Sequence, residues 1–253
     1  MSKVKQFIKR NLRGMIDASA GRFGYELVRT SKRAYGWERF FSVIGGFGFA
    51  PKHIVDIGAN RGLWTRTAIK YFPDAQYTLL EPQDYLKAYI LDLLDRGHKI
   101  RWINAGVGDK SGKGAFTIAR RDDSGSFTLS AHQAQERGFQ QATVEMKTLN
   151  EIVASSYAPM PEMVKIDAEG FDLKVLEGAT DLFGKTDIFL VETTLVGGWD
   201  NSLLAVVEKL ASSGYRPVDI TDLNRSPKCG VLWLVEIAFL RSECHLFEGM
   251  TYE

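Results

Sequence analysis

The sequence predicts an α/β protein built on a mostly parallel, seven-stranded sheet with helices on both faces. Three observations carry that prediction. From His53 onward, short apolar runs of strand length alternate with segments of helical period. Two of those runs, ending at Ile57 and Ile166, lead directly into turns of acids and glycines, as strands do at the ligand edge of an open sheet. Finally, 253 residues with 45% apolar and 25% charged side chains are enough for one large core. A domain over 51–253 is expected, preceded by a helical extension over 1–50.

In the extension, Val4, Phe7, Ile8, Leu12, Met15 and Ile16 recur at helical spacing among Lys3, Lys5, Lys9, Arg10 and Arg13, which predicts an amphipathic basic helix. Residues 1–33 hold nine Lys or Arg and two acids, a charge of +7, which leaves −6 on the other 220. Such a helix suits contact with an anionic membrane surface or a lipid-linked substrate, or packing on its own domain or on a partner subunit in self-association, the packing role being the commoner of the two. Gly14 to Gly24 reads as a loose link, and Tyr25 to Phe41 as helical material over the ligand pocket.

Strands are expected near 53–58, 77–81, 100–105, 163–167, 188–193, 215–220 and 231–241. Helices are expected near 63–72, 83–96, 148–156, 171–178 and 201–213. Between the third and fourth strands, Gly114 to Arg120, Ser126 to Ser130 and Thr143 to Lys147 are β-like pieces in an insertion too long for a simple crossover.

The first turn reads Asp56-Ile57-Gly58-Ala59-Asn60-Arg61-Gly62. Gly58 and Gly62 allow positive φ and close approach to a ligand, and Asn60 tolerates the same conformation. Free N–H groups at the start of the next helix then face the bound group. Glu81, in Leu80-Glu81-Pro82 at the end of the second strand, is placed to accept from both hydroxyls of a ribose. A dinucleotide fingerprint would have glycine where Asn60 stands. An acid at Asp56 repels a pyrophosphate but suits a ligand with an ammonium and a sulfonium. S-adenosylmethionine has both, which implies methyl transfer; an NAD-dependent oxidoreductase is the competing reading.

The second turn, Ile166-Asp167-Ala168-Glu169-Gly170, ends a buried strand in two acids. Buried acids require partners, so Asp167 and Glu169 either join the same crevice as Asp56, Asn60 and Glu81 or cap the helix that follows.

VDIGANRG, LLEP, Thr148-Leu149-Asn150-Glu151-Ile152 and VKIDAEGFDLKVLEGA (Val164 to Ala179) together resemble the FkbM-family methyltransferases over about residues 53–220. The resemblance implies a Rossmann-like class I methyltransferase fold with an antiparallel last strand, S-adenosyl-L-methionine as cofactor, and a sugar or glycan-type acceptor methylated on oxygen. It also implies that Asp56, Gly58, Ala59, Asn60 and Gly62 cradle the methionine part, that Glu81 with Pro82 holds the ribose, that Val107 borders the adenine, and that Ser126 lies near the cofactor. Asp109 is a weaker candidate, and Asn150 stands where the family usually has an acid.

Methyl transfer requires positioning and the handling of one proton. Asp167 is expected nearest the reacting centre, with Glu169 and Glu192 as reserve bases. His132 matches a base by its ordinary pKa, but it stands alone in the insertion. Asp167 and Glu192 with substrate oxygens leave room for Mg²⁺, although no metal-ligand spacing supports it. Trp64, Tyr85, Phe127, Trp199 and Trp233 are sugar-stacking types, Trp199 foremost. Two cysteines without a CxxC, no apolar run of about 18 residues and a polar start imply a cytoplasmic protein. The acidic body excludes a nucleic-acid partner. A non-catalytic binding protein on the same scaffold stays open.

Overall fold

The computed structural model describes residue 22 and residues 36–250, apart from 120–123, 156–157 and 197–200. The basic helix, the glycine-containing link and Trp199 lie outside the described residues. Residues Gly36–Glu253 form one compact unit.

Helix α1 (Trp37–Gly46) buries a stripe of Trp37, Phe40, Phe41 and Ile44. Its Phe41 ring meets Trp64 edge-on at 5.3 Å, so Trp64 is part of the core. Strand β1 (His53–Ile57) is buried along its whole length, as a central strand covered on both faces must be. It is followed by α2 (Leu63–Tyr71), β2 (Gln76–Leu80), a 3-10 turn (Asp84–Ile90) with the short α3 (Leu91–Asp95), and β3 (Ile100–Ile103). One helix was expected over 83–96; it is split at Ile90, whose Cγ2 sits over Gly62.

The insertion forms its own three-stranded sheet from β4 (Gly106–Val107), β5 (Gly112–Ile118) and β6 (Gln140–Lys147), in the order β4-β6-β5. The strand expected over 126–130 is reduced to one bridge, Ser126 to Thr117. Phe127 turns inward against Phe116 and Phe171 instead, and Ser130 already caps helix α4 (Ala131–Glu136) in a reciprocal box with Gln133.

Helix α5 (Leu149–Ala154), β7 (Met163–Ile166), α6 (Asp172–Glu177), β8 (Ile188–Thr194), α7 (Leu203–Ser212), β9 (Tyr215–Arg225) and β10 (Leu232–Arg241) complete the chain. The main sheet has the order β3-β2-β1-β7-β8-β10-β9. All neighbours pair in parallel except β10, which is antiparallel to both β8 and β9. One face packs Val55, Val164, Ile166, Phe189 and Val191 against Leu149, Leu176, Val206 and Leu210 of the helices. No helix among the described residues is long and apolar enough to cross a membrane.

Register positions the site. Leu80, Ile57, Ile166 and Val191 lie in one row across β2, β1, β7 and β8. The next residues, Glu81, Gly58, Asp167 and Glu192, therefore emerge side by side at the carboxyl edge. In parallel strands, residues at one level share a face, so the four point the same way, two residues beyond the row that contains Asp56 and Lys165.

Candidate active site

The first turn takes the left-handed conformation at Gly58, Asn60 and Gly62, with φ of +73°, +47° and +72°. The glycines serve the protein's own packing. A Cβ on Gly58 would stand 1.8 Å from the Asp167 carbonyl oxygen, and one on Gly62 would stand 2.7 Å from Ile90. The amides of Gly58 and Ala59 donate to Leu80 O, which fastens the turn to β2. Ala59 is buried.

Asp56 does not face the cleft. It is fully buried, accepts from Thr65 Oγ1 at 2.5 Å and stands 3.6 Å from Lys165 Nζ. The expected match to a ligand cation is met at this position by an internal one. Lys165, which sequence reasoning passed over, is itself buried and is 3.0 Å from Asp167 Oδ2 and 3.5 Å from Gly58 O. Burial would lower its pKa, but Asp167, Asp56 and Glu236 outweigh that and hold it above the usual lysine range. Its signal in the sequence was a lone cation in the apolar run Met163-Val164-Lys165-Ile166, which has to be paired when buried.

Glu81 closes the other side. Its Oε2 accepts from the Asn60 amide at 2.9 Å, and Oε1 accepts from Gln83 N at 3.0 Å and Gln83 Nε2 at 3.2 Å. Burial raises its pKa, opposed by these bonds. One cleft brings Gly58, Asn60, Glu81, Pro82, Asp167 and Glu169 together. Its apolar wall is Ala105, Val107, Phe116 and Phe127. Phe116 and Phe127, 5.0 Å apart, come from the insertion, so the small sheet forms part of the pocket.

Beyond β7 neither Asp167 nor Glu169 caps the helix, whose N-cap residue Phe171 makes no side-chain bond; Asp172, the first helical residue, ties down the turn before it instead. Its carboxylate accepts from the amides of Ala168 at 2.7 Å and Gly170 at 3.1 Å and from Asn201 Nδ2 at 2.9 Å. Burial pushes it up to about 7 despite these donors. Glu169 is thereby left to the cleft in a left-handed conformation, φ +50°, with its carbonyl accepting from Ser126 Oγ at 2.8 Å. Burial raises Glu192 well above the usual carboxylate range, and the carboxyl groups of Asp167, Glu169 and Asp172 push it the same way. Carboxylate oxygens of Asp167, Glu169 and Glu192 lie within 4.8 Å of one another, close enough to share a proton or a cation.

Other candidates fall outside this arrangement. His132 is exposed on α4 beside Glu136 at 3.6 Å, Asp109 faces Lys174 at 3.8 Å, and Asn150 ties α5 to Thr180 and Asp181. Gly62 lies behind the cleft wall.

The lining suits a cationic adenosyl ligand: an acceptor for ribose hydroxyls at Glu81, an apolar slot beside Val107, and carboxylates for positive charge at Asp167 and Glu169. The profile of the methyltransferase FkbM domain matches residues 56–217. A hexuronic acid methyltransferase, AglP, of Haloferax volcanii is 34% identical over 87 residues, 34% of this chain and 34% of that protein. Among solved structures, the cofactor-bound Rv0187 from MTB superposes with a TM-score of 0.50 at 14% identity over 95% of this chain and 97% of that one. The shared architecture is the Rossmann-like class I methyltransferase fold. With the match extending through both turns and most of the sheet, this chain belongs to the FkbM methyltransferase family.

Proposed function

We propose that the protein is an S-adenosylmethionine-dependent O-methyltransferase acting on a hydroxyl of a sugar, glycan or glycosylated small molecule. The observation that carries this reading is the row of Glu81, Gly58 and Asp167 lining one cleft, with Glu192 next to Asp167 in the same row. Similarity to a hexuronic acid methyltransferase over part of the chain supports a sugar-type acceptor.

When bound, S-adenosylmethionine supplies an electrophilic methyl group. The protein's part is to orient the acceptor hydroxyl and take its proton. Asp167, held at 3.0 Å by Lys165, orients the cofactor through its ammonium. Glu192, with its raised proton affinity, is matched to receive the proton, and Glu169 flanks both.

The three carboxylates favour one further reading, with Mg²⁺ among them. Lys165 already balances Asp167, so the metal-free form is proposed. Chelator treatment decides: activity that survives it supports the metal-free form, and loss restored by Mg²⁺ overturns it.

The function is tested by incubating purified protein with methyl-labelled S-adenosylmethionine and a panel of hexoses, uronic acids and their glycosides, followed by mass spectrometry. Transfer of label to a sugar hydroxyl is expected. NAD binding in place of S-adenosylmethionine would overturn the reading.

A further inference from the structure

Glu236 interrupts the apolar strand β10 and is buried, yet it lies outside the cleft. Its Oε1 accepts from Trp37 Nε1 of α1 at 2.7 Å and from Thr221 Oγ1 of β9 at 2.5 Å. On the other side it stands opposite Glu192 in the β10–β8 register. By register Glu236, Glu192 and Asp167 lie at one level on one face of neighbouring strands, and Asp167 is ion-paired with Lys165, whose ammonium also meets Asp56 and Gly58 O.

We infer that Glu236 is a positioning residue: held by Trp37 of α1, it acts through Lys165 to set the negative charge that Asp167 presents to the cleft. The inference rests on the proposed cofactor. An acceptor for two donors could as well have been an uncharged glutamine. A glutamate near Lys165 adds a second counter-charge. When Glu236 is ionised, Lys165 is shared more widely and Asp167 is freer to attract a cationic ligand; when Glu236 is neutral, Lys165 is held by Asp56 and Asp167 alone.

Burial pushes Glu236 up to about 7, opposed by Lys165, Thr221 and Trp37, so both forms are reached near neutrality. The charged and polar groups around it are Glu192 on β8 and Asp222 on β9 in register, Thr221 on β9 and Trp37 on α1 by hydrogen bond, and Lys165 with Asp167 from β7.

The test is calorimetric binding of S-adenosylmethionine by the full chain and by Glu236→Gln from pH 6 to pH 8.5. Protonated glutamate and glutamine carry the same charge, so the two dissociation constants should agree at pH 6. At pH 8 the variant should bind about fivefold more weakly, the effect of one charge across neighbouring strands at intermediate dielectric. Taking the ratio of the two proteins cancels titration of the ligand. A purely structural role predicts a ratio that does not change with pH, and that result overturns the inference.

If Glu236→Gln does not fold, Trp37→Phe serves. Loss of its N–H donor favours the neutral acid, so the pH dependence of binding should move to higher pH, and an unmoved curve overturns the inference. Wild-type protein that binds no S-adenosylmethionine at any pH overturns the cofactor reading itself.

Discussion

Gly58 and Asp167 meet backbone to backbone, with no room for a methyl group between the turn after β1 and the tip of β7. A side chain on Gly58 has to push those tips apart, and it also meets the cost of φ +73°. Gly58→Ala is expected to destabilise the fold by at least about 2 kcal/mol and to abolish cofactor binding. Urea unfolding and ligand titration check both; an alanine variant as stable as the parent would refute the packing argument.

Glu81 satisfies three N–H groups around the turn. Glu81→Ala leaves them without their acceptor and removes the proposed ribose partner. Affinity for S-adenosylmethionine is expected to fall at least about tenfold, as loss of a charge-assisted bond implies. Unaltered binding in a calorimeter would count directly against the assignment.

Lys165 is the cation between Asp56 and Asp167. Replacing it with methionine keeps the bulk and leaves two acids unbalanced in or near the core, at a cost of about 3–5 kcal/mol. Pairing Lys165→Met with Asp56→Asn should recover part of that loss in thermal melts. No recovery would mean that the two groups are not energetically coupled.

The raised pKa of Glu192 gives the pH dependence a sign. A base works only when deprotonated, so methyl transfer should rise with pH along a limb well above the ordinary carboxylate range. Glu192→Gln should remove that limb and lower kcat more than KM. Stability follows the opposite course: the folded state holds the proton more tightly than the unfolded chain, so this contribution is present at low pH and is lost as pH rises through the raised value. A rate profile that keeps its limb in the glutamine variant would assign the proton to another group.

Much of this was legible in the sequence. The strand and helix order could be read because β1, β7 and β8 are built mainly of apolar residues and the turns between elements are marked by glycine and proline. Most boundaries lie within two residues of expectation. The long helix over 83–96 and the strand over 126–130 were misread because both are shaped by distant contacts, Ile90 over Gly62 and Phe127 against Phe171.

At the site, sequence pattern identified Gly58, Asn60, Glu81, Asp167, Glu169 and Glu192 because each is a polar or glycine residue in the turn or strand end that follows an apolar run. It could not say which acid faces the ligand. Asp56 and Asp167 are alike as residues and both pair with Lys165; Asp56, bonded to Thr65, is buried inside the sheet, while Asp167, two residues beyond that row, opens on the cleft. It likewise could not show that Asp172 takes the amides of the turn at Ala168 and Gly170, nor that Glu236 meets Trp37 across 199 positions. Local sequence determined the elements, the turns and the stock of acids, since those depend on neighbouring residues. Strand register, burial and charge pairing depend on residues far apart in the chain, and only the folded sheet decided which carboxylates remained for chemistry.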